Sequence, residues 1–138
     1  MPRLEFFVPG IAAPQGSKRH VGGGRMVESS KALAPWRDSV HTFARLAADK
    51  QGWPCATTAV VAGFRFNIPR PASVSEKRRP LPSVKPDLSK LIRAAEDALV
   101  TAGVLQDDAL IVRYAPDTGK YYTEFGRESG AVIWLEML

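Results

Sequence analysis

One cysteine and two histidines in 138 residues leave this chain little from which to build the commoner metal and redox centres. Cys55 alone cannot form an internal disulfide or a zinc site of several thiolates, and it reads as a small buried or half-buried side chain in a reducing compartment. His20 and His41 show no metal-ligand spacing. Long apolar runs are also missing. Nothing approaches the ~20 residues of a membrane-spanning helix, and the N-terminus lacks the basic-then-apolar layout of a signal peptide. The chain is therefore expected in the cytoplasm, without a membrane partner. It also lacks charge balance: 19 lysines and arginines face 14 acids, a formal net charge of +5, and the pI is about 9.7. A basic surface of this kind favours a polyanionic partner, nucleic acid foremost.

What is present suffices for one domain. Hydrophobic residues make up 45% of the chain, enough for a core of its own over 1–138 and too little sequence for a second. Arg3 to Val8 is a short aromatic and β-branched run closed by Pro9-Gly10, and predicts a first strand. Ile11 to Gly24 reads as a loop in which Lys18 and Arg19 stand among glycines. Bare backbone amides and basic side chains can both reach phosphate there, although an isolated Lys-Arg pair is often only solvated. Arg25 to Glu28 suits a short strand. Ser29 or Ser30 can cap a helix from about Lys31 to Lys50, with Pro35 in its first turn and Trp36, Val40, Phe43, Ala44 and Ala47 on one face.

Ala56 to Ile68 predicts a central strand, with Gly63 marking a bend. Pro69 to Pro86 holds prolines at 69, 71, 80, 82 and 86 and cannot form a regular element. Its basic run Lys77-Arg78-Arg79 is as well explained by solvation as by contact with a DNA backbone. After a second helix, Ala109 to Tyr114 predicts a strand, Ala115 to Gly119 a turn, Lys120 to Phe125 a returning hairpin arm, and Ala131 to Leu138 a final buried strand. The order predicts an α/β (α+β) domain: a mixed sheet with two main helices packed on it.

The stretch Lys85 to Asp108, KPDLSKLIRAAEDALVTAGVLQDD, carries the chemistry. Leu88, Leu91, Ile92, Ala95, Ala98, Leu99 and Ala102 recur at three- and four-residue steps and form one apolar stripe, leaving Ser89, Lys90, Arg93, Glu96 and Asp97 on the exposed side. Pro86 and Asp87 define the helix start and Gly103 its stop. Asp107-Asp108 precede the next apolar run. An acid before a helix is usually a cap, and Asp-Asp before a strand is usually a solvated turn. Acids at a helix start and a strand start can nevertheless converge, and clustered carboxylates are what a hard divalent cation such as magnesium needs.

The run KPDLSKLIRAAEDALVTAGVLQDDALIV resembles the RusA family of Holliday junction resolvases, whose pattern is Asp-Leu-Asp-Asn-Leu at a helix start, a basic residue a turn later, Asp-Ala-Leu, a glycine and an Asp-Asp pair. VPGIAAPQGSKR, RMVESSKALAPWR and the closing strand extend the likeness over nearly the whole chain. The resemblance implies a RusA-like fold and a homodimer. It also implies an endonuclease dependent on magnesium, with manganese as an alternative, that cuts four-way DNA junctions by paired nicks and uses no small-molecule cofactor.

Asp87 matches the first catalytic carboxylate, Asp108 the catalytic acid of the pair and Asp107 its neighbour; the resemblance makes these three the metal ligands. Two positions depart from the pattern. Ser89 replaces the second Asp of Asp-Leu-Asp, removing a charge and an oxygen ligand. Arg93 stands where some members carry a catalytic lysine; it keeps the positive charge but cannot readily donate a proton. Lys18, Arg19, Lys77, Arg78, Arg79, Lys85, Lys90 and Lys120 are the expected DNA contacts. Ser89 leaves a second possibility open, a protein that binds branched DNA but cuts it slowly or not at all. A third is a basic adaptor whose acids are purely structural.

Overall fold

The computed structural model describes residues 2–16, 18–20, 26–28 and 31–138, the side chains of 18–20 and 26–28 excepted. Seven strands and two helices follow in the order β1 (Arg3–Pro9), β2 (Lys18–His20), β3 (Met26–Glu28), α1 (Leu33–Gln51), β4 (Val60–Ile68), α2 (Leu88–Thr101), β5 (Ile111–Tyr114), β6 (Gly119–Tyr122) and β7 (Gly130–Met137). The predicted mixed sheet with two helices is present. β7 is its centre, antiparallel to β1 on one side and to β4 on the other. β4 in turn pairs parallel with both β5 and β6.

Alternation along the strands decides which face the helices cover. Leu4, Phe6 and Val8 of β1, Val60, Ala62, Phe64 and Phe66 of β4, and Ala131, Ile133 and Leu135 of β7 are buried, in one cluster with Trp36, Val40 and Ala44 of α1 and Leu91, Ala95 and Leu99 of α2. Their neighbours on the other face, among them Glu5, Phe7, Arg65, Asn67 and Val132, remain partly or fully accessible. The period-two pattern thus gives a sheet with helices on one side only. Gly63 does not bend β4. A Cβ there would lie 1.9 Å from the Trp134 ring, so its bare backbone makes room for the indole on the open face.

Several expectations shift in detail. The segment 11–24 is not all loop, because β2 and β3 pair antiparallel as Lys18↔Glu28, Arg19↔Val27 and His20↔Met26. The glycine triplet 22–24, Arg25 and the proposed caps Ser29 and Ser30 lie outside the described residues. α1 begins with Ala32 at its N-cap position and no side-chain cap, and holds Pro35 in its first turn. Phe43 stands on its exposed side. β4 starts only at Val60, since Ala56 forms an isolated bridge to Leu105 instead. Cys55 is exposed, with the flanking Trp53 and Ala56 taking the buried positions.

The hairpin expected between Tyr114 and Lys120 does not form. β5 lies beside Val60–Ala62 and β6 beside Arg65–Ile68, both parallel to β4, so the chain steps outward and continues in the same direction. Backbone pairing explains the step. Ala115 N donates to Ala62 O at 2.8 Å, and Phe64 N donates to Thr118 Oγ1 at 3.2 Å, so a side chain replaces the ladder partner where the strand is interrupted. Ala109 and Leu110, expected as the start of a strand, belong instead to a 3-10 turn, Asp108–Leu110. No helix among the described residues is long and apolar enough to cross a membrane.

Candidate functional site

α2 is the axis on which the candidate residues are placed. Its predicted stripe is buried, with Leu88 packed at its edge. Its C-terminal end is closed by Gly103 at φ +74°, a left-handed position that a residue with a Cβ reaches only with strain. Arg45 of α1 supports the same end, donating from Nη1 to Ala102 O at 2.9 Å. The two ends of this helix carry different acids in different company.

At the N-terminal end, Asp87 holds the N-cap position in extended conformation, but its side chain makes no capping hydrogen bond. Its Oδ2 instead faces Lys90 Nζ at 3.7 Å. The segment leading into it is held from the sheet: Lys120 Nζ on β6 donates to Val84 O at 2.7 Å and to Pro86 O at 2.8 Å. The Lys120 ammonium, expected on DNA, is therefore engaged by the chain just before Asp87. The proline-rich loop before it is irregular but anchored. Arg70 donates to Ser75 O at 3.1 Å and Arg79 O at 2.6 Å, and its guanidinium lies 4.0 Å from the centroid of the Tyr122 ring. Arg79 reaches Tyr122 Oη at 3.4 Å. Lys77, Arg78 and Lys85 project outward and are exposed.

At the C-terminal end, Asp107 caps the 3-10 turn by accepting from Ala109 N at 2.8 Å, which sets Asp108 beside it. Asp97 approaches from α2, and Arg37 from α1 lines the same hollow of about 310 Å³ with Asp97, Thr101, Gln106, Asp107 and Asp108. The Asp108 carboxyl is pushed above the usual carboxylate range, first by partial loss of solvent, then by its hydrogen bond with Asp107 and by repulsion from Asp107 and Asp97. Among the described residues no cation forms an ion pair with Asp97, Asp107 or Asp108.

Glu96 and Asp97, expected on the exposed side of the helix, are half-buried. Tyr114 Oη donates to Glu96 Oε2 at 2.7 Å, and burial holds the Glu96 carboxyl above its ordinary range. The Tyr114 hydroxyl is raised by the same burial and by that carboxylate. Gln15, in the loop after β1, covers Asp97: its N donates to Lys90 O at 3.0 Å and its Nε2 to Asp97 Oδ2. Arg93 is exposed and lies against Gly16 of that loop, where an added Cβ would be 3.9 Å from Nη1. Ser89 is exposed.

The structure thus brings Asp107 and Asp108 together with Asp97 but leaves Asp87 at the other end of α2. Asp87 and Asp97 are separated by about 15 Å along the helix axis, at 1.5 Å per residue. Among the described residues no three histidine, cysteine, aspartate or glutamate side chains converge as a ready-made metal site. The expected convergence of helix-start and strand-start acids is absent because the 3-10 turn directs Asp108 toward the third turn of the helix. Arg37, Asp97 and Gln15 are the members of this region that the spacing did not single out. Asp97 stood in the sequence within the Asp-Ala-Leu stretch, but nothing there tied it to Asp108. The side chains of Lys18 and Arg19 lie outside the described residues.

Comparison with known proteins gives one result. The model of a protein family described as Endodeoxyribonuclease RusA matches residues 8–128, a span that includes both ends of α2, the basic loop and the Asp107-Asp108 pair. No individual curated protein matches the chain.

Proposed function

Because the chain belongs to the RusA endodeoxyribonuclease family, we propose that it resolves four-way DNA junctions by paired, symmetric, metal-dependent nicks. The observation that carries this reading is the crowded carboxyl of Asp108 beside Asp107 and Asp97 within the matched segment. Like charges held together favour an added cation, and although Arg37 lines the same hollow, no ion pair among the described residues engages these acids. The donors are carboxylate oxygens, which suit magnesium or manganese, and one or two carboxylates with water completing the shell is a common arrangement for magnesium. The residues at this end therefore fit the metal that the family implies.

Asp107 and Asp108 would hold that ion. Bound there, it would supply Lewis-acid activation at the phosphodiester and a water of lowered pKa. The remaining work falls to the chain itself. Asp108 must be ionised to serve, so its raised pKa places its working state on the alkaline side of its titration. Arg93 and Lys90, on the polar side of α2, steady the phosphate as fixed positive charges; Arg93 stays protonated and acts through charge, not proton transfer. Lys120 holds the entry to α2, and with it Asp87. On this reading Asp87 joins the same centre only by a displacement of the chain at the start of α2, because release from Lys90 alone does not span the length of the helix.

Lys77, Arg78, Arg79 and Lys85, with Lys18 and Arg19, track the DNA backbone. Paired cuts on a junction need two active sites related by a two-fold axis, so the working form is a homodimer. The products carry a 5′-phosphate and a 3′-hydroxyl, and the protein acts in the cytoplasm.

The test is incubation of the purified protein with a labelled mobile four-way junction and a linear duplex of the same sequence, in magnesium, manganese or chelator. Symmetric nicks in the junction, absent in chelator, are the expected result. A second reading is favoured by two observations: Ser89 supplies no carboxylate, and Asp87 stands apart from Asp107 and Asp108. On that reading the protein binds junctions and cuts them slowly or not at all. Tight junction binding without cutting, with nicking restored by Ser89→Asp, would select it.

A further inference from the structure

Phe125 is 106% exposed, the most accessible large apolar side chain among those described. Single exposed hydrophobic residues are ordinary on protein surfaces, so its exposure alone means little. Its setting gives it meaning. The turn that carries it is fixed at both legs: Thr123 N donates to Ile68 O at 2.8 Å, and Gly10 N donates to Ser129 O at 3.0 Å. Thr123 and Ser129 share a hydroxyl hydrogen bond of 2.6 Å, and Arg127 N donates to Glu124 O at 3.0 Å. A braced turn therefore presents a bare phenyl ring.

Facing it is the anchored basic loop. Arg70, Glu76, Tyr122, Thr123, Glu124 and Phe125 line a cleft of about 430 Å³ between loop and turn. One wall is the Arg70–Tyr122 stack, which also shapes the loop, and Phe125 stands at the rim. Lys77 and Arg78, exposed on the same loop, bring positive charge beside this cleft, while Glu76 and Glu124, exposed along its lining, repel a phosphate from it. The charge pattern thus admits a DNA backbone along the rim and a neutral group within. A flat group with amine hydrogens suits the interior: it can stack on phenyl and guanidinium faces, and Glu76 or Glu124 can accept its N–H.

We infer that the cleft between the 69–80 loop and the 123–129 turn receives an unstacked nucleobase from branched DNA, with Phe125 as its stacking surface. Branch points supply such a base cheaply, because stacking is already interrupted there, whereas a continuous duplex must be opened first. Phe125 is on this account a specificity-determining residue that separates junction from linear duplex. This rests on the branched-DNA reading above.

The experiment measures binding to a four-way junction carrying 2-aminopurine at the branch point, and to the matched duplex, in chelator so that nothing is cut. Wild type, Phe125→Ala and Phe125→Tyr are compared, with thermal unfolding and sedimentation on each. The expected result is a fluorescence rise on wild-type binding that is lost in Phe125→Ala, junction affinity lower by roughly tenfold, unchanged duplex affinity, and recovery of both signals in Phe125→Tyr. A Phe125→Ala variant that keeps the wild-type junction preference and fluorescence rise overturns the inference. So does one that loses duplex and junction binding equally, or one whose defect is a change in oligomeric state. A wild type that binds junction and duplex alike sinks the junction reading itself, and the cleft's assignment with it.

Discussion

The two ends of α2 differ in how their acids are neutralised. At its start Asp87 faces Lys90, and Lys120 grips the chain that leads to it. At its finish Asp108 shares a hollow with Asp97 and Asp107, and its proton is held more tightly than in an ordinary carboxyl. An acid already paired with a lysine has little need of another cation, whereas a crowded set of acids is stabilised by one. The contrast teaches that the two carboxylates the resemblance treats alike are prepared differently in the free protein. On the proposed reading the acidic end takes the ion, and the basic end, with its loop, takes phosphate.

The largest expected effect comes from removing charge at the acidic end. On the proposed mechanism Asp108→Asn lowers the junction-nicking rate by on the order of 10²–10³-fold, comparable to losing a principal electrostatic group of an active site. Junction affinity should hold or improve, because a negative charge has left the DNA side. Cleavage and binding measured on the same preparation separate the two. Equal nicking by Asp108→Asn and wild type would erase the distinction between the ends.

At the basic end the effect is on binding. Replacing Lys77 and Arg78 with glutamine should weaken binding to junction and duplex together and reduce the slope of log affinity against log salt by about 0.9 per lost phosphate contact. A salt titration reads it directly, and an unchanged slope removes those side chains from the interface.

Lys120→Met probes the link between sheet and helix start. It removes two charge-assisted hydrogen bonds to carbonyls and should cost about 1–2 kcal/mol of folding stability, with a fall in kcat exceeding any change in KM. Lys120→Arg, which can still donate to carbonyls, should recover most of both. Loss of binding alone, with kcat intact, would return Lys120 to the simple DNA-contact role expected from its charge.

The smallest effect concerns Glu96. Its folded pKa lies above its ordinary value of 4.5, so the folded state holds a proton that the unfolded chain releases. Stability from this group is therefore present at low pH and lost as pH rises through that range. Glu96→Gln keeps an acceptor for Tyr114 and removes the ionisation, so its melting temperature should gain on wild type at neutral pH and not at pH 4. A constant difference between the two across that range would contradict the buried-acid assignment.

The legible parts of this molecule were those where a periodic pattern meets a stop signal. The stripe from Leu88 to Ala102 and the glycine at 103 gave α2 its face and its end, and the apolar run after Gly130 gave the closing strand. Patterns without that punctuation misled. Lys120 to Phe125 carries hairpin chemistry, but hydrogen bonds from Ala115 and Phe64 align its first residues with β4 instead. Gly63 reads as a bend because spacing says nothing of an indole on the neighbouring strand that requires the space.

The site divides in the same way. The Asp107-Asp108 pair and the family likeness were visible in local spacing. Arg37, Asp97 and Gln15 come together only through the packing of α1, α2 and the first loop, contacts that span long stretches of chain. The anchoring of Lys120 was equally invisible, since its acceptors are backbone carbonyls that any residue type supplies. Phe125 left no periodic trace because a single aromatic at a turn belongs to no stripe.

The most direct test is single-turnover nicking of a labelled four-way junction in magnesium by wild type, Asp87→Asn and Asp108→Asn, with products from both strands mapped. The account predicts symmetric nicks by wild type that vanish in Asp108→Asn while junction binding persists. Wild-type protein that binds the junction but leaves it intact in magnesium and manganese, or an Asp108→Asn variant that cuts as fast as wild type, would contradict it.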